Sequence, residues 1–269
     1  MINIEKLTFF LGGHDLEMLT IREILEEHAP GRFFDKGLSW GAKASDYRKE
    51  IQEVLANGRV PVLVELTLDM EIDEGLTIII DHHGERAGSD NPTSLHQIFD
   101  LLNLPQDKWT RWFDLVAAND RGYIPAMLET GATQEEIIKV RAADRAAQGI
   151  TAEEEAEGEK AAANAEVFAD GMLTLVCLPH TRTATVADRL EASLGGPGYK
   201  NLLIISPTQV NFFGAGKLIY VLDEAFPGGW YGGALPERGF WGHGNPVPDV
   251  MPLLMDKLCS LTTRNINGK

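Results

Sequence analysis

The chain has 269 residues, 44% hydrophobic and 24% charged, which suffices for one large or two modest domains, each with its own core. Forty acids against 24 Lys and Arg give a formal net charge of −16 with no basic cluster, although part of the excess is local, in TAEEEAEGE at 151–159. That balance disfavours a grip on long nucleic acid, and the absence of any apolar run near the roughly eighteen residues of a membrane helix disfavours a membrane partner.

The opening MINIEKLTFFLGGHD sets acid and base before a short apolar run and has no small-residue cleavage site. LTFFL at 7–11 therefore reads as a first strand, not a signal peptide. The loop GGHD leads into a helix with Met18, Ile21, Ile24 and Leu25 at helical spacing. DYRKEIQEVLANG repeats the pattern through Tyr47, Ile51, Val54 and Leu55 and stops at Asn57-Gly58. VPVLVEL at 60–66 and LTIII at 76–80 are strand-like, the second running straight into Asp81-His82-His83. SLHQIFDLLN is helical through Leu95, Ile98, Phe99 and Leu102. Residues 107–118 then place Trp109, Trp112, Phe113 and Val116 on one face before AAND at 117–120. Such alternation predicts a parallel sheet with helices on both faces, whose ligands gather beyond the carboxyl ends of the strands.

From 129 to 168 the composition turns to Ala, Glu, Lys and Gln, and TQEEIIKVRAADRAAQ predicts a helical connector interrupted around Gly149 and Gly158. Beyond it, GMLTLVCLP, NLLIISP and KLIYVLD read as strands and TVADRLEASLGG as a helix. The stretch from 226, FPGGWYGGALPERGFWGHGNPVPD, is a Gly-, Pro- and Trp-rich tail. The expected organisation is an α/β fold: a parallel-sheet domain over 1–128, the connector over 129–168 and a smaller α/β module over 169–269. Cys177 and Cys259 lie far apart, outside any CxxC spacing, and read as buried free thiols of a reducing compartment, the cytoplasm.

An apolar strand ending in acid-His-His puts three potential ligands where α/β sites lie. The other junctions carry comparable groups: His14, Asp15 and Glu17 after the first strand, Glu65 and Asp69 after VPVLVEL, and Asp120 at an expected strand-to-loop junction in AANDRGY. Carboxylates and imidazoles converging from four strand ends suit manganese, iron or cobalt better than a thiolate-rich zinc site. Two ions sharing a bridging carboxylate would activate water and neutralise a phosphate. Plainer readings exist for single residues. Asp15 or Glu17 could cap the first helix, and Asp69 in DMEIDEG could belong to a solvated turn.

These residues carry a resemblance. The chain resembles the DHH phosphoesterase superfamily, which includes RecJ-type exonucleases, short-oligonucleotide hydrolases, cyclic dinucleotide phosphodiesterases and manganese-dependent pyrophosphatases. Asp81-His82-His83 matches the name-giving motif, AAND resembles the later motif with a metal-binding aspartate, and GGHDLE resembles the first motif, Asp15 and Glu17 filling its two acid positions. The first motif's histidine falls at Leu11, which cannot bind metal, with His14 close by as a substitute. The resemblance implies a metal-dependent phosphoesterase or phosphodiesterase holding one or two Mn2+ ions, with Mg2+, Co2+ or Fe2+ as alternatives. Asp15, Glu17, His82 and Asp120 would hold metal, with Glu65 or Asp69 bridging. Asp81 would orient a histidine and His83 would face the substrate phosphate. Because consecutive side chains of an extended backbone point to opposite faces, the two histidines are expected to differ in role.

GFWGHGNP at 239–246 is similar to the family's glycine-rich GGGH-like segment, which implies substrate contacts from Arg238, Gly242, His243 and Gly244, with substrate entering between the two modules. The expected substrate is a small phosphorylated compound or short oligonucleotide, and the oligomeric state is open, a homodimer included. The rival reading is a degenerate member that binds a phosphorylated ligand or partner without hydrolysing it.

Overall fold

A computed structural model of the chain describes residues 3–39, 41–88, 91–244 and 247–266, apart from the side chains of Glu74, Glu85 and 259–266. The fold is α/β and divides into two compact units. The first comprises Met1–Arg86, Asp90–Ala132 and Ala142–Gln148. Its elements are β1 (Leu7–Leu11), α1 (Leu16–His28), β2 (Phe33–Phe34), α2 (Arg48–Ala56), β3 (Val60–Val64), β4 (Ile78–Ile80), α3 (Ser94–Leu101) and α4 (Arg111–Glu129).

The four strands lie in the order β2-β1-β3-β4, and every pair is parallel. All five residues of β1 are buried, as are four of the five in β3, which is why both read as unbroken apolar runs: a parallel strand covered on both faces has no polar side. Phe10, Tyr47, Ile51, Val54 and Leu63 pack one cluster between α2 and the sheet. The register aligns Leu11 with Val64 and Val64 with Ile80. Parallel strands in that register bring segments 12–17, 65–66 and 81–83, distant in sequence, to one carboxyl edge. That is how the candidate residues meet.

The second unit comprises Ala87–Ser89, Thr133–Arg141 and Gly149–Lys269, so α5 (Gln134–Ala147) contributes residues to both units. It continues with α6 (Ala152–Ala163), β5 (Glu166–Phe168), β6 (Leu173–Cys177), α7 (Ala184–Leu190), β7 (Leu202–Ile205), β8 (Val210–Ala215), α8 (Gly216–Ala225), β9 (Trp230–Gly232), β10 (Arg238–His243) and α9 (Met251–Ile266). Its mixed sheet has six strands in the order β5-β6-β7-β8-β10-β9, with only β6 and β7 parallel. This sheet has more strands than that of the first unit.

Several expectations are corrected here. KLIYVLD is helical: Leu218, Ile219 and Leu222 recur at helical spacing and are buried, whereas Ile, Tyr and Val suggest a strand by residue type. The Gly-, Pro- and Trp-rich tail carries the paired strands β9 and β10. Gly158 does not interrupt α6, because a Cβ there would fall 2.3 Å from Thr185 Oγ1; glycine lets α6 approach α7 closely. Cys177 is exposed, since it ends β6 on the face opposite buried Val176; the side chain of Cys259 lies outside the described residues. Among the described residues, no helix is long and apolar enough to cross a membrane.

Candidate metal centre

Each loop at the carboxyl edge has a local reason for its course. Asp15 is the N-cap of α1, its Oδ1 accepting the Met18 N–H at 2.8 Å. Two residues on, Glu17 is buried, and its Oε1 accepts the Leu95 N–H at 3.0 Å at the start of α3. Capping and site placement therefore coexist in GGHDLE. Glu65 follows β3 with φ of 52°, a left-handed conformation that costs a non-glycine residue about 1–3 kcal/mol and here turns the carboxylate toward the centre. Gly12 faces that turn directly. A Cβ on Gly12 would lie 2.5 Å from the Glu65 carbonyl oxygen and 2.7 Å from that of Val64. Gly12→Ala should therefore destabilise the fold by about 1–3 kcal/mol by overpacking. It should also weaken metal binding by displacing Glu65; thermal unfolding and metal titration of the variant measure the two effects.

Asp120 comes from the middle of α4, not from a strand-to-loop junction. The Trp- and Phe-bearing periodicity continues past Asn119, and α4 breaks only at Gly122 and Tyr123, the latter at φ 60° and ψ −148°. Pro125 contributes to the break, because it has no N–H to offer the Arg121 carbonyl.

His82 is the hub. Its Nε2 lies 3.4 Å from Glu17 Oε2, 3.3 Å from Glu65 Oε1 and in closest contact with Asp120 Oδ2. All four atoms are buried, and none has a hydrogen-bond partner. Glu65, His82, His83 and Asp120 each offer a ligand atom, and these atoms lie within 4.8 Å of one another. Three buried carboxylates facing one imidazole are costly in a low-dielectric site unless a positive charge compensates them. Oxygen donors with one nitrogen form a donor set suited to a divalent ion of the manganese type. The residues present thus fit a metal.

The electrostatics agree with that reading. Burial raises Glu17 to about 8, reinforced by Asp120 and opposed by His82. Asp15 is also raised, by burial and then by Asp120 and Glu65. Burial pushes Glu65 up too, but His83, His82 and the Ser94 hydroxyl together outweigh it and bring the carboxyl to about 2. Burial disfavours charge on His82, yet Asp120, Glu17 and Glu65 hold its pKa well above the ordinary value.

The two histidines are not on an extended backbone. The chain bends at His83 and enters a short 3-10 turn at Gly84, whose φ is 58°, and the two rings lie 4.3 Å apart. The expected opposition of the side chains is therefore absent, because the turn reorients the second ring. Asp81 does address a histidine: its Oδ1 accepts the His83 N–H at 2.9 Å and stands 3.2 Å from His83 Nδ1.

The remaining candidates lie elsewhere. Asp69 is exposed and bonded to Ser45, through N at 2.9 Å and Oγ at 2.6 Å, so of the two acids named for the bridging position only Glu65 reaches the cluster. His14 faces Asp35 at 3.3 Å, and Leu11 is fully buried in β1. In the second unit, the GFWGHG part of the glycine-rich segment lies mostly in β10, and Asn245 and Pro246 fall outside the described residues. Arg238 donates to the Lys200 carbonyl at 2.8 Å and lies 5.3 Å from the Tyr199 ring. His243 faces the carbonyls of Gly244 and Pro227. Gly242 pairs with Trp230, whose ring occupies the space a Cβ would need, and Gly244 also lies against that ring.

Two residues not singled out in the sequence belong to the neighbourhood. Ser94, fully buried at the start of α3, neighbours Glu65. Asp144, buried on α5, accepts the Leu16 N–H at 3.3 Å and adds to the negative charge around Asp15. An acid on the same stripe as buried Ile137 and Val140 is the available signal for Asp144.

A parallel sheet thus gathers acids and imidazoles around Asp81-His82-His83 at its carboxyl edge, in an α/β fold. Among solved structures, the chain is similar to an exopolyphosphatase-related protein from Bacteroides fragilis, at 12% identity and a TM-score of 0.50, covering 97% of this chain and 94% of that one. It is also similar to a DHH domain described as a member of a family of ribosomal proteins, at 14% identity and a TM-score of 0.49, covering 96% of this chain and 87% of that one. A third similar structure is RecJ from Thermus thermophilus in complex with Mn2+, at 15% identity and a TM-score of 0.49, covering 96% of this chain and 52% of that one. No protein-family model and no curated protein matches the sequence. The chain shares its α/β fold with the exopolyphosphatase-related protein, at low sequence identity.

Proposed function

We propose that the protein is a hydrolase of phosphate esters or anhydrides that depends on a divalent metal, manganese in the first instance. One observation carries the reading: Glu17 Oε2, Glu65 Oε1, His82 Nε2 and Asp120 Oδ2 are buried, lack hydrogen-bond partners and crowd one volume. These four residues would hold the ion. When bound, it supplies Lewis acidity toward a phosphoryl oxygen and toward water.

The chain's own groups do the rest. Asp81 fixes the His83 ring through Nδ1 and the backbone N–H. Burial opposes charge on His83, but Glu65 and Asp81 outweigh it and raise its pKa, favouring an imidazolium. That cation can donate from Nε2 to a phosphate oxygen as negative charge develops. The net charge of −16 and the lack of a basic cluster support a small phosphorylated compound or short oligonucleotide as substrate.

Metal binding must displace protons from this cluster, because Glu17 is raised to about 8 and His82 is also raised. Groups raised in this way are protonated below their pKa, so metal affinity should fall as pH falls. The expected change is on the order of tenfold per pH unit for each proton displaced. Manganese titrations at several pH values, in buffers of different ionisation enthalpy, measure both slope and proton release; a flat profile would contradict the assignment.

The binding-only reading has one observation in its favour, the pairing of His14 with Asp35 beside a first motif that has Leu11 where its histidine falls. A screen of phosphomonoesters, phosphodiesters, dinucleotides and pyrophosphate with added manganese separates the two. Turnover that disappears in Asp120→Ala supports the hydrolase; metal uptake without turnover on any of them supports binding alone.

A further inference from the structure

We propose, on the hydrolase reading above, that Arg86 is a substrate contact and selects compounds with a second phosphate beside the one that is cleaved. Arg86 closes the short 3-10 turn that begins at Gly84, its N–H donating to the His83 carbonyl at 3.1 Å. In such a turn, side chains three residues apart eclipse one another. Arg86 is thereby set on the side of His83. Its own carbonyl accepts from Asn91 Nδ2 at 2.8 Å, so the backbone here is held from both directions.

One carboxylate ties the two side chains together. Asp81 Oδ1 accepts the His83 backbone N–H and faces Nδ1, while Oδ2 lies 3.7 Å from a guanidinium nitrogen of Arg86. That ion pair is long, and the Arg86 side chain is 57% exposed, which leaves most of its donors to solvent. A guanidinium presents its N–H groups as a rigid fork that matches two oxygens of a phosphate. The surroundings are otherwise acidic, with Glu17, Glu65 and Asp120 around His82, in a chain of net charge −16. An exposed cation tethered beside His83 is therefore a local attraction for an anion. With the cleaved phosphate facing His83, Arg86 is in place for its neighbour. The favoured substrates are phosphate anhydrides or short oligonucleotides with a terminal phosphate, and simple monoesters are poor ones.

The test uses two pairs of compounds that differ by one phosphate, pApA against ApA and ADP against AMP, on the full chain with added manganese. Binding is followed by titration calorimetry and turnover by chromatography, and the pair that responds tells an oligonucleotide from an anhydride. In at least one pair, the compound with the extra phosphate should bind on the order of tenfold tighter. Arg86→Gln should erase that difference by raising KM, with kcat within about twofold and manganese content unchanged. Arg86→Lys, which keeps the charge but not the fork, should restore part of it. Equal affinity within both pairs, a preference that survives Arg86→Gln, or a loss confined to kcat overturns the contact. A preference lost in Arg86→Gln, with no turnover of any of these compounds, overturns the hydrolase reading and leaves the contact standing.

Discussion

His82→Ala should abolish specific metal binding and weaken the metal-free fold. The substitution removes the only nitrogen among the four unpartnered donors and leaves Glu17, Glu65 and Asp120 facing one another. Removing one partner from a buried charged cluster costs about 3–5 kcal/mol, because the remaining charges lose their compensation. The pH dependence has a definite sign. Because the folded-state pKa of His82 is raised, its stabilising contribution is fully present below its ordinary value of 6.5 and disappears as pH rises through the raised one. The gap in denaturant midpoint between wild type and His82→Ala, both metal-free, should therefore be widest at acidic to neutral pH. Metal affinity should fall by about a hundredfold or more, activity following it. A variant as stable as wild type that still binds manganese would remove His82 from the centre.

His83→Ala should produce a different pattern: metal content nearly intact and turnover reduced on the order of a hundredfold, the usual cost of losing one charge-stabilising group. The two rings adjoin at 4.3 Å, so adjacency alone cannot separate their roles. Their partners do. His82 Nε2 meets three carboxylate oxygens, whereas His83 Nδ1 meets Asp81. Metal analysis and kcat on both variants test the division; equal loss of metal in both would assign His83 to the ligand set.

Much of the first unit was legible because buried parallel strands and amphipathic helices each leave a plain pattern. LTFFL and VPVLV are continuous apolar runs, and Met18, Ile21 and Leu25 form a buried helical stripe on α1, which packs against α3 and α4. The candidate ligands were legible for a related reason: charged groups at the ends of apolar strands have few roles besides capping and chemistry. The sequence marks Asp120 as a site residue but not the element that carries it, since nothing between Trp112 and Asn119 tells a helix that ends from one that continues to Gly122. The strand-end position favours Glu65 over Asp69 in the sequence, but the left-handed backbone at Glu65 and the capture of the Asp69 carboxylate by Ser45 are visible only in the structure. The second unit was less legible. Its antiparallel strands β8, β9 and β10 are short and glycine-bearing, and glycines that accommodate an aromatic ring, as Gly242 does Trp230, look the same in sequence as glycines that cradle phosphate.

The most direct measurement is anomalous diffraction from crystals grown with manganese, recorded on both sides of its absorption edge. A manganese peak in contact with Glu17, Glu65, His82 and Asp120 is the predicted result. Clear density for those four side chains with no peak among them, or manganese bound only at exposed acids, would contradict the assignment of this cluster as the catalytic centre.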